Sequence, residues 1–215
     1  MITVKNFVFN NIEENTYVLY NETKECVIID PGCYTKAEQD RLKNFIVEND
    51  LKPAALLNTH CHFDHIFGNA FVCREFGIGA WAHKGELNNI NRAESYTSVF
   101  GMKMEHPPLP VRYLKDGDDV KFGNSLLKVI HTPGHSPGCV CFYSEEDKFI
   151  IAGDTLFQGS IGRTDLPGGD YDQIMDSLLN KLMKLPNDTT AYCGHGPDTE
   201  IGQERMYNPF ITEKM

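Results

Sequence analysis

Thr59-His60-Cys61-His62-Phe63-Asp64-His65 puts three imidazoles and a carboxylate within six consecutive positions. These are the nitrogen and oxygen donors that divalent transition-metal ions take. They follow the apolar run Ala54-Ala55-Leu56-Leu57, which predicts a buried strand with the cluster in the loop at its C-terminal end. Residues i and i+2 of an extended segment face the same way, so His60 and His62 can share one cation. Asp64 and His65 stand at the turn before a predicted helix over 66–76 and can address a neighbouring position.

Three more ligand-type side chains lie at predicted strand ends beside glycine, which lets backbone approach closely. They are His135 in Thr132-Pro133-Gly134-His135-Ser136, Asp154 in Ala152-Gly153-Asp154-Thr155, and His195 between Gly194 and Gly196. The set then holds five histidines and two aspartates. A tetrahedral zinc takes four protein ligands, or three and a water when catalytic. Seven ligands suit a pair of ions bridged by one carboxylate and, opposite it, a water or hydroxide. Two ions about 3.5–4 Å apart form a recognised hydrolytic arrangement. The mixed donors fit Zn, Fe or Mn.

The elements that must position these groups follow from patterning. Residues 2–10 and 15–20 read as strands around the turn-forming Asn10-Asn11. A short run from Cys26 stops at Asp30-Pro31-Gly32, a turn in which proline fixes φ and glycine permits a positive φ. Ala37, Leu42, Phe45 and Ile46 predict a helix to about Asn49, and Pro53 opens the strand feeding the ligand loop. Gly77 closes the helix over 66–76, and Ile78–Ala82 reads as a strand. Lys84–Pro110 has weak periodicity and reads as irregular helix and loop near the mouth of the site. Strands are then predicted at 111–114, 119–122, 126–131, 139–143 and 149–152, with a hairpin turn at Gly123-Asn124. Ile174, Leu178, Leu179, Leu182 and Met183 stripe a helix that ends near Pro186, and Thr190–Tyr192 leads into Gly194-His195-Gly196. No Gly/Ser linker or charge block divides the chain, so a single domain over 1–215 is expected.

Composition narrows the class. A formal net charge of −10 argues against a nucleic-acid binder, which would carry a basic stripe. No apolar stretch approaches the ~20 residues of a spanning helix, so no membrane partner is expected. The N-terminus alternates (Ile2, Val4, Phe7, Phe9) without the pattern of a signal peptide. The seven cysteines include no C-x-x-C pair and are odd in number, which argues against a disulfide framework and for a reducing cytoplasm. Cys61 reads as packing. His131 reads as structural, His83 and His106 as exposed, and Arg163–Asp165 as an ion pair. Tyr143, Tyr171 and Trp81 read as core or rim.

Thr59–His65, His135, Asp154 and His195 together resemble the metal-ligand signature of the metallo-β-lactamase superfamily. Further stretches are similar to the short glyoxalase II-like hydrolases. They are Gly153-Asp154-Thr155-Leu156-Phe157, Gly162-Arg163-Thr164-Asp165, Gly194-His195-Gly196-Pro197, Ile201-Gly202, and Glu204-Arg205 before Asn208-Pro209-Phe210.

The resemblance implies an α/β protein, an αββα sandwich of two mixed β-sheets with helices on the outer faces. It implies that His60, His62 and His135 hold one metal, that Asp64, His65 and His195 hold a second, and that Asp154 bridges them. Asp64 and Asp154, with a metal-held hydroxide, are the expected catalytic groups, and Asp30 is expected to orient a ligand. The implied activity is hydrolysis of a small-molecule thioester such as S-D-lactoylglutathione with two divalent ions, zinc first and iron or manganese next. Full-length glyoxalase II continues into a C-terminal helical region that helps hold glutathione. This sequence stops at Met215, so the resemblance carries the hydrolytic centre and not that region. Two alternatives stand beside it: a persulfide dioxygenase-like oxidoreductase with one iron, and a lactonase or β-lactamase on the same centre.

Overall fold

The computed structural model describes residues 1–99 and 101–214; Phe100, within the 84–110 segment, and Met215, the last residue of the expected domain, lie outside the described residues. The chain forms two compact units. The first comprises residues 1–114 and 121–125, and the second residues 115–120 and the chain from Leu126 on.

In the first unit, strands β1 (Thr3–Phe9), β2 (Glu14–Tyr20), β3 (Glu25–Ile29), β4 (Lys52–Leu57), β5 (Ala80–His83) and β6 (Arg112–Leu114) form one sheet in sequence order. The first three run antiparallel and the rest pair in parallel. Parallel neighbours need crossovers. These are helices α1 (Lys36–Glu48), α2 (Asn69–Phe76) and α3 (Leu87–Val99). Val18, Cys26, Ile28 and Leu56 alternate onto one face and pack with Leu42 and Ile46 of α1 and Phe71 and Val72 of α2. Ile90 and Ala93 of α3 pack with Cys61 and Ile66 of the ligand loop, so that loop is part of a core.

The second unit carries β7 (Asp119–Phe122), β8 (Ser125–His131), β9 (Val140–Ser144), β10 (Phe149–Gly153), β11 (Leu156–Phe157), β12 (Ser160–Ile161), α4 (Tyr171–Asn180), β13 (Thr190–Cys193), β14 (Thr199–Glu200), α5 (Ile201–Tyr207) and α6 (Pro209–Thr212). Its sheet has the order β14-β13-β10-β9-β8-β7, with β10 and β13 parallel, and β11 and β12 form a small hairpin. Ile174 and Leu178 of α4 pack on Ile150, Ala152 and Ala191. The tip of the β7–β8 hairpin clusters with the first unit, where Asn21 Nδ2 donates to the Phe122 carbonyl at 3.1 Å.

Most expected elements are present within one or two residues; the helix expected to end near Pro186 stops at Asn180, before a separate 3₁₀ turn at Leu182–Lys184, and four further differences have physical causes. The 84–110 segment contains a regular helix, α3. Its buried side chains are few (Ile90, Ala93, Thr97), so a polar surface masked the period. The helix expected over 66–76 begins at Asn69, because Phe63–His65 forms a separate 3₁₀ turn. The positive φ of the Asp30-Pro31-Gly32 turn falls on Asp30 (φ 49°), whose side-chain bonds hold it there. Gly32 is needed for space instead: a Cβ there would collide with the Glu14 carboxylate and the Asp64 carbonyl. The short strands β11, β12 and β14 are too brief to show a period.

Thr35 caps α1 by accepting from Glu38 N–H while Glu38 accepts from the Thr35 amide at 2.7 Å, a reciprocal capping box. Thr35→Ala is therefore expected to cost about 1 kcal/mol in urea unfolding. Leu42→Ala, at a position with no exposed surface, is expected to cost about 2–5 kcal/mol.

Candidate metal centre

β4 ends at Leu57 and delivers the ligand loop. His60 and His65 have no exposed surface, Asp64 is buried and His62 half-buried. The His60 ring centroid lies 4.7 Å from that of His62 and 4.1 Å from that of His65. The 3₁₀ turn closes with His65 N–H donating to the His62 carbonyl at 3.1 Å. It aims His65 Nε2 towards Asp64 Oδ2, 3.8 Å away.

Hydrogen-bond partners decide which imidazole nitrogen is left to act as a base. Asp30 Oδ1 accepts the Thr59 amide at 2.8 Å, and Oδ2 accepts the Thr59 hydroxyl and stands 3.2 Å from His65 Nδ1. A carboxylate is acceptor-only, so His65 Nδ1 carries the proton and Nε2 keeps a lone pair. The Thr59 hydroxyl has spent its single proton on Asp30. Its 3.1 Å contact with His60 Nδ1 must then be a donation from Nδ1–H, which leaves His60 Nε2 as the base. Ligand-type atoms of Asp30, His60 and His65 also fall within 4.8 Å of one another. The Asp30 oxygens are committed to Thr59 and His65, so Asp30 orients the His65 ring and the Thr59 segment.

In the second unit His135 follows β8, Asp154 follows β10 and His195 follows β13. His135 Nδ1 donates to the Arg163 carbonyl at 2.8 Å, which again leaves Nε2. Asp154 Oδ2 lies 3.5 Å from His135 Nε2 and 3.7 Å from His195 Nε2. These separations exceed a hydrogen bond. They match the roughly 3.4 Å between two ligands about 2.1 Å from a tetrahedral ion, and so does the Asp64–His65 pair. Gly162 permits this arrangement, since a Cβ there would run into the Asp154 carbonyl and come within 3.1 Å of His135 Cβ. The donor set therefore fits divalent ions: imidazoles held by oxygen acceptors at Nδ1, which turns Nε2 outward, beside carboxylates at ligand spacing.

The residues set aside from the sequence fall as follows. His131 is structural, its Nε2 3.0 Å from the Pro137 carbonyl. His106 is exposed beside Glu94. His83 is half-buried rather than exposed, because its Nδ1 accepts from the Gly85 amide at 3.1 Å and caps a 3₁₀ turn. Arg163 and Asp165 form an exposed bidentate pair, with both contacts 2.7 Å. The Arg163 hydrogen bonds hold the Asp165 carboxyl down to about 2. The useful atom of Arg163 for His135 is its backbone carbonyl, which no sequence motif announces. Six of the seven cysteines are buried and Cys73 is half-buried. Burial pushes the Cys26 and Cys193 thiols up to about 12.

Sequence reasoning missed Glu14 and Glu86, both without exposed surface. Glu86 Oε2 accepts the Cys61 amide at 2.7 Å. Burial pushes the Glu14 carboxyl well up, with His65 opposing and the Asp30 charge reinforcing. An acid opening a strand as apolar as β2 was the available signal, since acids are rarely fully buried unless paired.

The model of the metallo-beta-lactamase superfamily matches residues 12–195. The chain belongs to that superfamily. A hydroxyacylglutathione hydrolase, GloC, from Haemophilus influenzae is 35% identical over 204 residues, 94% of each chain. The crystal structure of BLEG-1 B3 metallo-beta-lactamase is similar at a TM-score of 0.90 and 39% identity, covering 98% of this chain and all of that one. The crystal structure of TTHA1623 in a di-iron-bound form is similar at a TM-score of 0.86 and 37% identity, covering 96% of this chain and all of that one. The metallo-beta-lactamase fold, two mixed sheets with helices, is thus that of this chain, as the resemblance implied. This superfamily member is a metal-dependent hydrolase. Among the described residues no helix is long and apolar enough to cross a membrane.

Asp30→Asn keeps the side chain's shape and removes the charge that fixes the His65 tautomer. It is expected to weaken metal affinity about 10- to 100-fold while leaving the circular dichroism spectrum unchanged. Chelator competition gives the first quantity directly.

Proposed function

We propose that this chain holds two divalent ions and uses them to hydrolyse an acyl thioester, S-D-lactoylglutathione being the leading substrate. In this scheme His60, His62 and His135 hold one ion, Asp64, His65 and His195 the other, and Asp154 serves both. The observation that carries it is the single Asp154 oxygen at 3.5 and 3.7 Å from two imidazole nitrogens. One oxygen at ligand spacing from two histidines is what a bridging carboxylate needs. Support for a pair of ions comes from the di-iron form of the TTHA1623 structure. Support for a thioester comes from the relative named as a hydroxyacylglutathione hydrolase, which matches nearly end to end. Zinc is the ion we propose, since imidazole with carboxylate suits it as well as it suits iron or manganese.

Bound there, such ions supply a water that ionises near pH 7 rather than ~15.7, and an electrophile for the carbonyl oxygen. The chain's own share is orientation. Asp30 and Thr59 keep the Nε2 lone pairs of His65 and His60 aimed, and the Arg163 carbonyl does the same for His135. Hydrolysis makes one C–O bond and breaks one C–S bond; the sulfur leaves with the electron pair and the water's proton passes to solvent. A thiolate is a good leaving group, which matches a ligand set offering no lysine or tyrosine as a general acid.

Asp154→Ala and His62→Ala are expected to reduce thioester turnover to background and to lower the metal content below two ions per chain. A panel of thioesters, lactones and nitrocefin, assayed with zinc, iron and manganese, should show thioesters turned over fastest. A folded Asp154→Ala protein with full activity would rule the scheme out. So would one iron per chain with oxygen uptake on glutathione persulfide.

A further inference from the structure

Glu14 opens β2 with no exposed surface, and the ligand set has no use for it. Its Oε2 lies 2.8 Å from the Thr16 hydroxyl, and its Oε1 stands 3.9 Å from His65 Nδ1, beyond hydrogen-bond reach. Thr16 spans Pro31: its Oγ1 lies 2.8 Å from the Asp30 carbonyl and accepts the Gly32 amide at 2.9 Å. Asn10 completes the clamp by donating to the Gly32 carbonyl at 3.0 Å and to the Asp64 carbonyl at 3.2 Å. The clamped turn is the one that holds Asp30 at φ 49° and sets its carboxylate 3.2 Å from His65 Nδ1.

Glu86 secures a different stretch of the same loop. Its Oε2 accepts the Cys61 amide at 2.7 Å and Asn89 Nδ2 at 2.8 Å. Cys61 lies between His60 and His62, so this one bond fixes the backbone from which both imidazoles project.

We infer that Glu14 and Glu86 are positioning residues with separate effects. Glu14, through Thr16 and Asp30, sets the affinity of the ion held by Asp64 and His65, whereas Glu86, through the Cys61 amide, sets that of the ion held by His60 and His62. The inference rests on the two-ion scheme proposed above. A buried carboxylate is costly unless its hydrogen bonds are made; Glu14 Oε2 meets the Thr16 hydroxyl and Glu86 Oε2 meets the Cys61 amide, and each bond lies in the frame that carries the proposed ligands. They act through other residues and touch no reacting atom.

The test measures zinc affinity by competition with a chromophoric chelator, and occupancy at each position by anomalous diffraction from crystals equilibrated with limiting zinc. Thr16→Val and Glu14→Leu should weaken the ion at Asp64/His65 about 10- to 100-fold and leave the other within twofold. Glu86→Met should do the reverse. Glu14→Gln and Glu86→Gln, which keep a hydrogen-bonding group in place, should restore affinity to within about threefold of wild type. In an Asp30→Asn background, Thr16→Val should add less than a twofold further loss. Should Glu14→Leu fail to fold, Thr16→Val and Glu14→Gln still decide the matter. Equal loss at both positions in every variant, unchanged affinity in Thr16→Val, or Gln variants as weak as the apolar ones would each overturn the inference. Wild-type protein binding fewer than two ions would remove its foundation before any variant is made, so that failure is seen separately.

Discussion

The centre depends on a constraint one bond removed from any metal: an imidazole offers a ligand lone pair on one nitrogen only when its proton is held on the other. Asp30 holds it for His65, the Thr59 hydroxyl for His60, and the Arg163 carbonyl for His135. Each partner acts on Nδ1, so each ring presents Nε2. Hydrogen bonds to a charged group contribute about 1.5–3 kcal/mol, the same scale as the 10- to 100-fold in affinity that outer partners of ligating histidines command. The partner residues are therefore as much a part of the site as the ligands.

That constraint explains otherwise odd features of the fold. Asp30 adopts a left-handed backbone conformation, and Gly32 must lack a side chain, because the turn between them is pressed against Glu14 and the Asp64 carbonyl. Gly162 is small because its loop brings the Arg163 carbonyl to His135 while passing over Asp154. Strand ends supply the candidate ligands in both units, and the side chains that aim them come from turns that neither sheet's pattern of alternation requires.

What could be read in the sequence follows from the range of each signal. The candidate ligands could be singled out because the cluster is local and the remaining three stand beside glycine at the ends of apolar runs. The long strands were visible through alternation, and α1 and α4 through helical spacing. Helix α3 was not, since only Ile90, Ala93 and Thr97 face the core. Glu14 reaches Asp30 through Thr16, while Glu86 and the Arg163 carbonyl act on residues 25 and 28 positions away, and no spacing rule reaches them. Local pattern showed Asp30 only as a turn residue, and its orienting role was an implication of the resemblance; its contact with His65 is made by the fold.

The most direct measurement is the nitrogen-15 spectrum of the histidine side chains in metal-free protein at neutral pH. The account predicts that His60, His65 and His135 are already in the Nδ1–H form, with Nε2 shifts of unprotonated imidazole, before any ion is added. Rings found in the Nε2–H form, or exchanging freely between the two, would contradict it.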